Sequence, residues 1–205
     1  MDINIRNLTP IQLDALKEVA NIGGCHAATA LSQLVHQKVM VHVPEVLIGP
    51  LEEVIYKVAS PETIVTSILM YFLGDLTGRS LLIYPKEDSD ALVELLIPSS
   101  SDRDRKELTE SLLKEVSNIL SCSYMNTLGE FLDVLILPSV PGMVVDMVGA
   151  VLSSVVLEFG SEKDTIICLE TEFSFSSDSR SLKAYFLLLP DVASLRIIFK
   201  KLNLL

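Results

Sequence analysis

The sequence contains two matching pairs of polar residues, each a glutamate followed three residues later by an asparagine. Glu18 and Asn21 form the first pair, and Glu115 and Asn118 form the second. Residues three apart in a helix lie on one face, so each pair presents a carboxylate beside an amide that both donates and accepts hydrogen bonds. Asparagine is a mediocre helix former, so its presence in two predicted helices needs a reason. The alternative is a surface pair that hydrogen-bonds locally or to an adjacent loop.

Familiar catalytic and metal-binding motifs are absent from the sequence. It contains no P-loop, no G-x-G-x-x-G, no H-E-x-x-H and no G-x-S-x-G. The three histidines, His26, His36 and His42, all lie in the first half and have no histidine counterparts in the second. Because metal sites need convergent ligands, we interpret these histidines as partly exposed or core-edge residues and expect no metal site.

The chain has three cysteines, Cys25, Cys122 and Cys168, an odd number without C-x-x-C spacing. The N-terminus shows neither a basic n-region nor an apolar h-region, so we expect a reducing, cytoplasmic location. Cys25 and Cys122 occupy matching positions in predicted helices, with no obvious base nearby in the sequence. We interpret both as small buried hydrophobic residues rather than reactive thiols.

The two halves of the chain are an internal repeat. Segment Asp14–Pro44 aligns without gaps on Ser111–Pro141 at a constant offset of 97, with ten of 31 positions identical. Both Glu/Asn pairs are among the identical positions. Helices that drift independently under packing pressure need not keep the same polar pair, so the repetition favours a functional role. We predict one domain, residues 1–205, made of two repeats at about residues 8–97 and 104–205.

Hydrophobic periodicity predicts two long helices, from about Thr9 to Gln37 and from about Asp104 to Phe131. Short helices are expected at Asp88–Leu96 and Val192–Leu202. Six strands are predicted, at Val39–Val43, Ile64–Leu73, Arg79–Tyr84, Val134–Leu137, Thr165–Phe175 and Leu182–Leu189. This pattern indicates an α+β fold with pseudo-twofold symmetry, in which the long helices lie on one face of a six-stranded, largely antiparallel sheet.

The composition argues against nucleic acid and against disorder. The 27 Asp and Glu residues outnumber the 16 Lys and Arg residues, a net charge of -11 that does not suit binding to a phosphate backbone. Hydrophobic residues make up 49% of the chain and charged residues only 21%, so it can bury a sizeable core. The best membrane candidate, Val134–Leu157, is interrupted by Pro138, Pro141 and Gly142, so we predict no membrane span.

The repeated segments resemble a known double motif. Asp14–Pro44 and Ser111–Pro141 both fit the pattern D/S-x3-E-x2-N-x22-P, which resembles the motif of the CheC/FliY/CheX phosphatases of bacterial chemotaxis. Two motifs in one chain are most similar to the CheC type of this family. The resemblance covers almost the whole chain and implies paired long helices on a six-stranded sheet. It also implies hydrolysis of the aspartyl phosphate on the response regulator CheY.

The resemblance gives the repeated pairs distinct roles. Asn21 and Asn118 would orient the attacking water, and Glu18 and Glu115 would engage a lysine or another basic group in the regulator's active site. An acyl phosphate is already activated, so such an enzyme mainly has to place a water in line. The alternative is a non-catalytic binding module, in which the two faces only dock a partner.

The remaining motif residues would shape or border the two sites. Asp14 and Ser111 would contact the regulator at the rim, and this difference means that the two sites need not be equally active. Pro44 and Pro141 would shape the turn after the first strand of each repeat. The chain would need no cofactor of its own, because the regulator supplies the divalent metal, Mg²⁺.

The resemblance also implies binding to the receptor deamidase CheD. Segment Met143–Leu157 is apolar with a single charge, whereas its first-half counterpart holds three charged residues. We predict that a short helix there offers Gly149, Ala150 and Ser153 to CheD. The alternative is that the valines of this segment fill the core of the second half. We expect the protein to be a monomer.

Overall fold

The computed structural model describes residues 9–43, 45–97, 102–159, 165–175 and 178–202. Pro44, the first motif proline, lies outside these ranges. The described elements, in chain order, are α1 (Pro10–Val35), β1 (Val39–His42), β2 (Val46–Pro50), α2 (Leu51–Val58), β3 (Ile64–Gly74), β4 (Gly78–Pro85), α3 (Lys86–Leu96), α4 (Asp102–Leu132), β5 (Ile136–Pro138), β6 (Gly142–Met147), α5 (Val148–Phe159), β7 (Thr165–Phe175), β8 (Asp178–Pro190) and α6 (Val192–Lys201).

The order of elements repeats. A helix, two strands, a helix, two strands and a helix occur from α1 to α3 and again from α4 to α6. Both long helices are followed by a residue with left-handed backbone at matching positions, His36 with φ 52° and Asp133 with φ 51°. A left-handed residue ends the helical hydrogen-bond pattern and redirects the chain into the next strand.

The two long helices are amphipathic and close to their predicted lengths. α1 has 26 residues and α4 has 31. The residues that they bury along one face include Leu16, Ala20, Ala27 and Leu31 in α1 and Leu113, Val116, Leu120 and Leu128 in α4. Burying this stripe against the sheet stabilises each helix, and it leaves the opposite face available to solvent.

The sheet has eight described strands, two more than the six predicted. Their order is β1-β7-β8-β4-β3-β5, with β2 also paired to β7 and β6 also paired to β3, and all pairings are antiparallel. β4 pairs with β8 at the centre and so joins the two repeats. The added strands are short and depend on long-range pairing, which sequence periodicity does not report. The predicted α+β class with a largely antiparallel sheet is confirmed.

The sheet is covered on both faces rather than on one. Successive side chains of a strand point to opposite faces. Leu82 and Tyr84 of β4 belong to the larger core with α1 and α4, whereas Leu81 and Ile83 belong to a second core with α2 and α5. The two long helices lie on one face, as predicted, and α2 and α5, which the sequence did not predict as helices covering the sheet, bury apolar residues against the other face.

Candidate active site

Asn21 is half-buried on α1 and is held by the end of the following strand. Its Oδ1 accepts a hydrogen bond from the backbone N–H of Val43 at 3.1 Å. Val43 follows the last residue of β1 and is buried. This contact explains the 22-residue spacing of the motif. After α1 ends at the left-handed residue His36, β1 returns the chain to α1, and Val43, just before the motif proline, reaches Asn21. Val43 was not among the predicted site residues, although the constant 22-residue gap of the motif was the signal for it.

Asn118 is half-buried on α4 and is held differently. Its Oδ1 accepts a hydrogen bond from the thiol of Cys122, one helical turn later, at 3.4 Å between sulfur and oxygen. Val140, which matches Val43 in the repeat, is 86% exposed. Among the hydrogen bonds of the described residues, none joins Val140 to Asn118. The two asparagines are therefore oriented by a backbone amide in one repeat and by a thiol in the other.

The other motif side chains are exposed on the same helix faces. Asp14 and Glu18 of α1, and Ser111 and Glu115 of α4, are all open to solvent. Within the described part of the chain, neither glutamate makes an ion pair. Each asparagine thus has a free carboxylate one turn before it, as the three-residue spacing predicts. The structure brings together the residues of each pair and keeps the two pairs on separate helices.

The two long helices pack closely and form a firm support for both pairs. A Cβ atom at Gly23 would lie 2.8 Å from the Cδ1 atom of Tyr124, so glycine permits this approach of α1 to α4. The buried Tyr124 hydroxyl is hydrogen-bonded to the hydroxyl of Thr171 on β7 at 3.1 Å. Both helices are therefore fixed against the sheet, and their polar faces are built on rigid elements.

The motif residues lie on open helix surface rather than in a cavity. A groove of about 480 Å³ is lined by Asp75, Asn126, Glu130 and Asp133 among others, and it contains no motif residue. Small-molecule sites are usually concave and bury most of their ligand. The exposed Glu/Asn faces are instead suited to a macromolecular partner that covers them.

The three cysteines occupy different environments. Cys25 is exposed, Cys122 is half-buried and Cys168 is buried, so the interpretation of Cys25 as a buried hydrophobic residue is wrong. Burial, with a smaller contribution from the charge of Glu115, raises the pKa of Cys122. Burial, with smaller contributions from nearby carboxylates, raises the pKa of Cys168 to about 12. Both thiols are consequently protonated at neutral pH.

The histidines do not converge on one another. His26 Nδ1 lies 3.5 Å from a threonine hydroxyl of α4, and His42 Nε2 lies 3.7 Å from a carboxylate oxygen of β7. Among the described residues, no group of three His, Cys, Asp or Glu side chains is arranged to hold a metal ion. The described helices also include none that is long and apolar enough to cross a membrane.

The apolar segment Met143–Leu157 divides between strand and helix, which corrects the prediction of a helix for its first part. Val144 and Val145 lie in β6 and are 53% and 48% exposed. Val148 and Val151, by contrast, belong to α5 and are buried. The alternative that valines fill the core therefore holds for α5 and fails for β6.

The three residues proposed for a CheD contact lie at the start of α5. Ala150 and Ser153 are exposed, and the Ser153 hydroxyl donates to the carbonyl oxygen of Gly149 at 2.6 Å. Gly149 is half-buried, and its N–H donates to the carbonyl oxygen of Pro61 at 2.9 Å. A Cβ atom at Gly149 would lie 3.2 Å from that oxygen. Gly149 thus packs the start of α5 against Pro61, while Ala150 and Ser153 form part of the exposed surface of α5.

Comparison with known proteins places this arrangement in a family. Residues 11–48 match the CheC-like family. The chain is 33% identical over 197 residues to the CheY-P phosphatase CheC of Bacillus subtilis (strain 168), a match that covers 94% of each chain. The chain belongs to the CheC-like family. The resemblance inferred from the double motif is confirmed.

Two further relatives link the CheC-like chain to FliY. It is 30% identical over 117 residues to the flagellar motor switch phosphatase FliY of Bacillus subtilis (strain 168), covering 56% of this chain and 30% of that one. The crystal structure of Thermotoga maritima FliY matches with a TM-score of 0.74 at 20% identity, covering 96% of this chain and 98% of the other. At that identity the structural match shows the shared fold.

Proposed function

We propose that this CheC-family phosphatase hydrolyses the aspartyl phosphate of CheY, the response regulator of chemotaxis. The observation that carries the proposal is the pair of matched Glu/Asn sets on the open faces of α1 and α4. The 33% identity to a CheY-P phosphatase over nearly the whole chain supports it. Each face is one site, so a single chain has two.

The asparagine amide places the attacking water. One lone pair of the Asn21 Oδ1 accepts from Val43, the second accepts from the water, and Nδ2 donates to a phosphoryl oxygen. The water oxygen attacks phosphorus in line as the bond from phosphorus to the aspartate oxygen breaks, which yields inorganic phosphate and restores the carboxylate. The Val43 contact fixes the amide beforehand, so little reorganisation is needed in the transition state. Asn118 has the same task in the second site.

The exposed carboxylates bind the regulator. Glu18 and Glu115 pair with a basic group beside the phosphorylated aspartate, a contact that lays the long helix across the regulator's active site. Asp14 and Ser111 lie one turn earlier and contact the rim. The divalent metal, Mg²⁺, belongs to the regulator in this proposal, and the phosphatase itself contributes no cofactor.

A second partner, CheD, is proposed for α5. Ala150 and Ser153 present a small-residue surface on α5, the helix that directly follows β6 and its exposed valines. The matching helix in the first repeat, α2, instead exposes Glu53 and Tyr56 at the same two positions. This difference supports a partner that docks on the second repeat alone. We also propose that the protein acts as a monomer, because each site is complete within one chain.

Phosphate release from CheY charged with acetyl phosphate tests the proposed activity. Release should accelerate with this protein present, and the acceleration should disappear in the double variant Asn21→Ala/Asn118→Ala. A chain that binds phosphorylated CheY without accelerating release would instead be the binding module. A chelator of divalent metal added to the reaction should stop it. Treating this protein alone with the chelator, and removing the chelator before the assay, should leave the reaction rate unchanged.

A further inference from the structure

The two sites hold their asparagine amides by different donors. Val43 supplies a backbone N–H to Asn21, whereas the Cys122 thiol supplies the donor to Asn118. We propose that Cys122 is a positioning residue of the second site, an inference that rests on the proposed phosphatase function. By fixing Oδ1, the thiol sets the direction in which the Asn118 amide faces the phosphoryl group.

The position of Cys122 suits this task. It lies one turn after Asn118 on the same helix face, and it is half-buried against the core beneath the helices. Burial and the nearby charge of Glu115 raise its pKa, which keeps the thiol protonated and able to donate at neutral pH. A thiol is a weak donor, so its effect on the amide is a matter of orientation rather than of binding strength.

The first repeat contains a matched control. Cys25 lies four residues after Asn21, as Cys122 does after Asn118, yet it is exposed. The Asn21 oxygen is already fixed by Val43 at 3.1 Å. The same residue type at the same repeat position therefore positions an amide in one site and is dispensable in the other.

The test isolates each site before its cysteine is changed. In an Asn21→Ala background, where the second site alone works, Cys122→Ala should lower kcat by about two- to tenfold with KM unchanged, the loss expected for one modest hydrogen bond. Cys122→Ser, which keeps a donor at this position, should retain most of the rate. In an Asn118→Ala background, where the first site alone works, Cys25→Ala should leave kcat unchanged.

Equal losses for alanine and serine at position 122, or no loss for either, would overturn the role of Cys122. So would an Asn21→Ala background without activity. Failure of the phosphatase proposal is distinct, because the parent chain itself would then not accelerate phosphate release. A second readout is the side-chain NH₂ resonance pair of Asn118 in the folded protein. It should shift when methyl methanethiosulfonate converts Cys122 to a methyl disulfide in a Cys25→Ser chain, and a reducing agent should restore it; an unmoved pair would count against the hydrogen bond.

Discussion

Replacing Asn21 by aspartate and by alanine separates the two tasks of its side chain. Aspartate keeps an oxygen that accepts from Val43, but it lacks the amide hydrogens and brings a negative charge toward the phosphoryl group. Alanine removes both functions. We therefore expect both variants to silence the first site, and only the alanine variant to lose stability as well.

The structure sets the size of each effect. Val43 is 1% exposed, so its backbone N–H would lose its acceptor in a buried setting, at a cost of about 1 to 3 kcal/mol. For a chain of this length each kcal/mol lowers Tm by about 2 to 4 °C. Losing the water-placing amide should slow that site by about 10- to 1,000-fold. Asn118→Ala should have little effect on Tm, because its described donor is a thiol.

The assays are phosphate release from acetyl-phosphate-charged CheY and thermal unfolding. Either single variant at Asn21 or Asn118 should keep the activity of the intact site, and the double variant should lose the activity of both. Parental kcat for Asn21→Asp in the Asn118→Ala background would refute the water-placing role. Equal Tm values for the aspartate and alanine variants would refute the stabilising contact to Val43.

Three further outcomes are expected. The double variant Glu18→Lys/Glu115→Lys should weaken binding to phosphorylated CheY more than it lowers kcat, and parental affinity in fluorescence anisotropy would contradict the assigned contact. Ser153→Glu should abolish CheD binding and spare basal activity, whereas Tyr56→Glu at the matching position of α2 should leave both unchanged. CheD binding by both variants would place the contact elsewhere. Although burial opposes its ionisation, hydrogen bonds lower the pKa of Asp191, the cap of α6. Its contribution is therefore present above about pH 4 and lost as pH falls through the lowered pKa, so Asp191→Asn should reduce Tm at pH 7 and the reduction should shrink as the pH falls below 4.

The sequence was sufficient for the features that recur over many residues. The long amphipathic stretches predicted α1 and α4 to within about two residues, because burying one helical stripe needs a sustained period. The strands β2 and β6 escaped prediction because β2 ends in glycine and proline, which are rare in strands, and β6 lies in the apolar segment that was predicted as a helix. They exist through pairing with β7 and β3, partners more than 70 residues away in the chain for both.

The sequence predicts which residues form the candidate site, but not the contacts that support them. Glu18, Asn21 and their counterparts follow from the repeat, but the Val43 contact needs the return of β1 to α1. The exposure of Cys25 was within reach of the sequence, since a residue four after Asn21 shares its helix face. It was missed because cysteine is more often buried, and the matching Cys122 is indeed half-buried.

Comparison of the two repeats separates what the reaction needs from what each half has acquired. Both repeats keep the glutamate, the asparagine and the left-handed residue that ends the long helix. They differ in the donor that fixes the amide and in the short helix on the other face of the sheet. Because each repeat has its own Glu/Asn pair in the proposed function, the second repeat is free to depend on a thiol and to expose an apolar strand while the first retains a backbone donor. We therefore assign the proposed chemistry to the shared pair, and the proposed partner contacts and control to the residues that differ between the repeats.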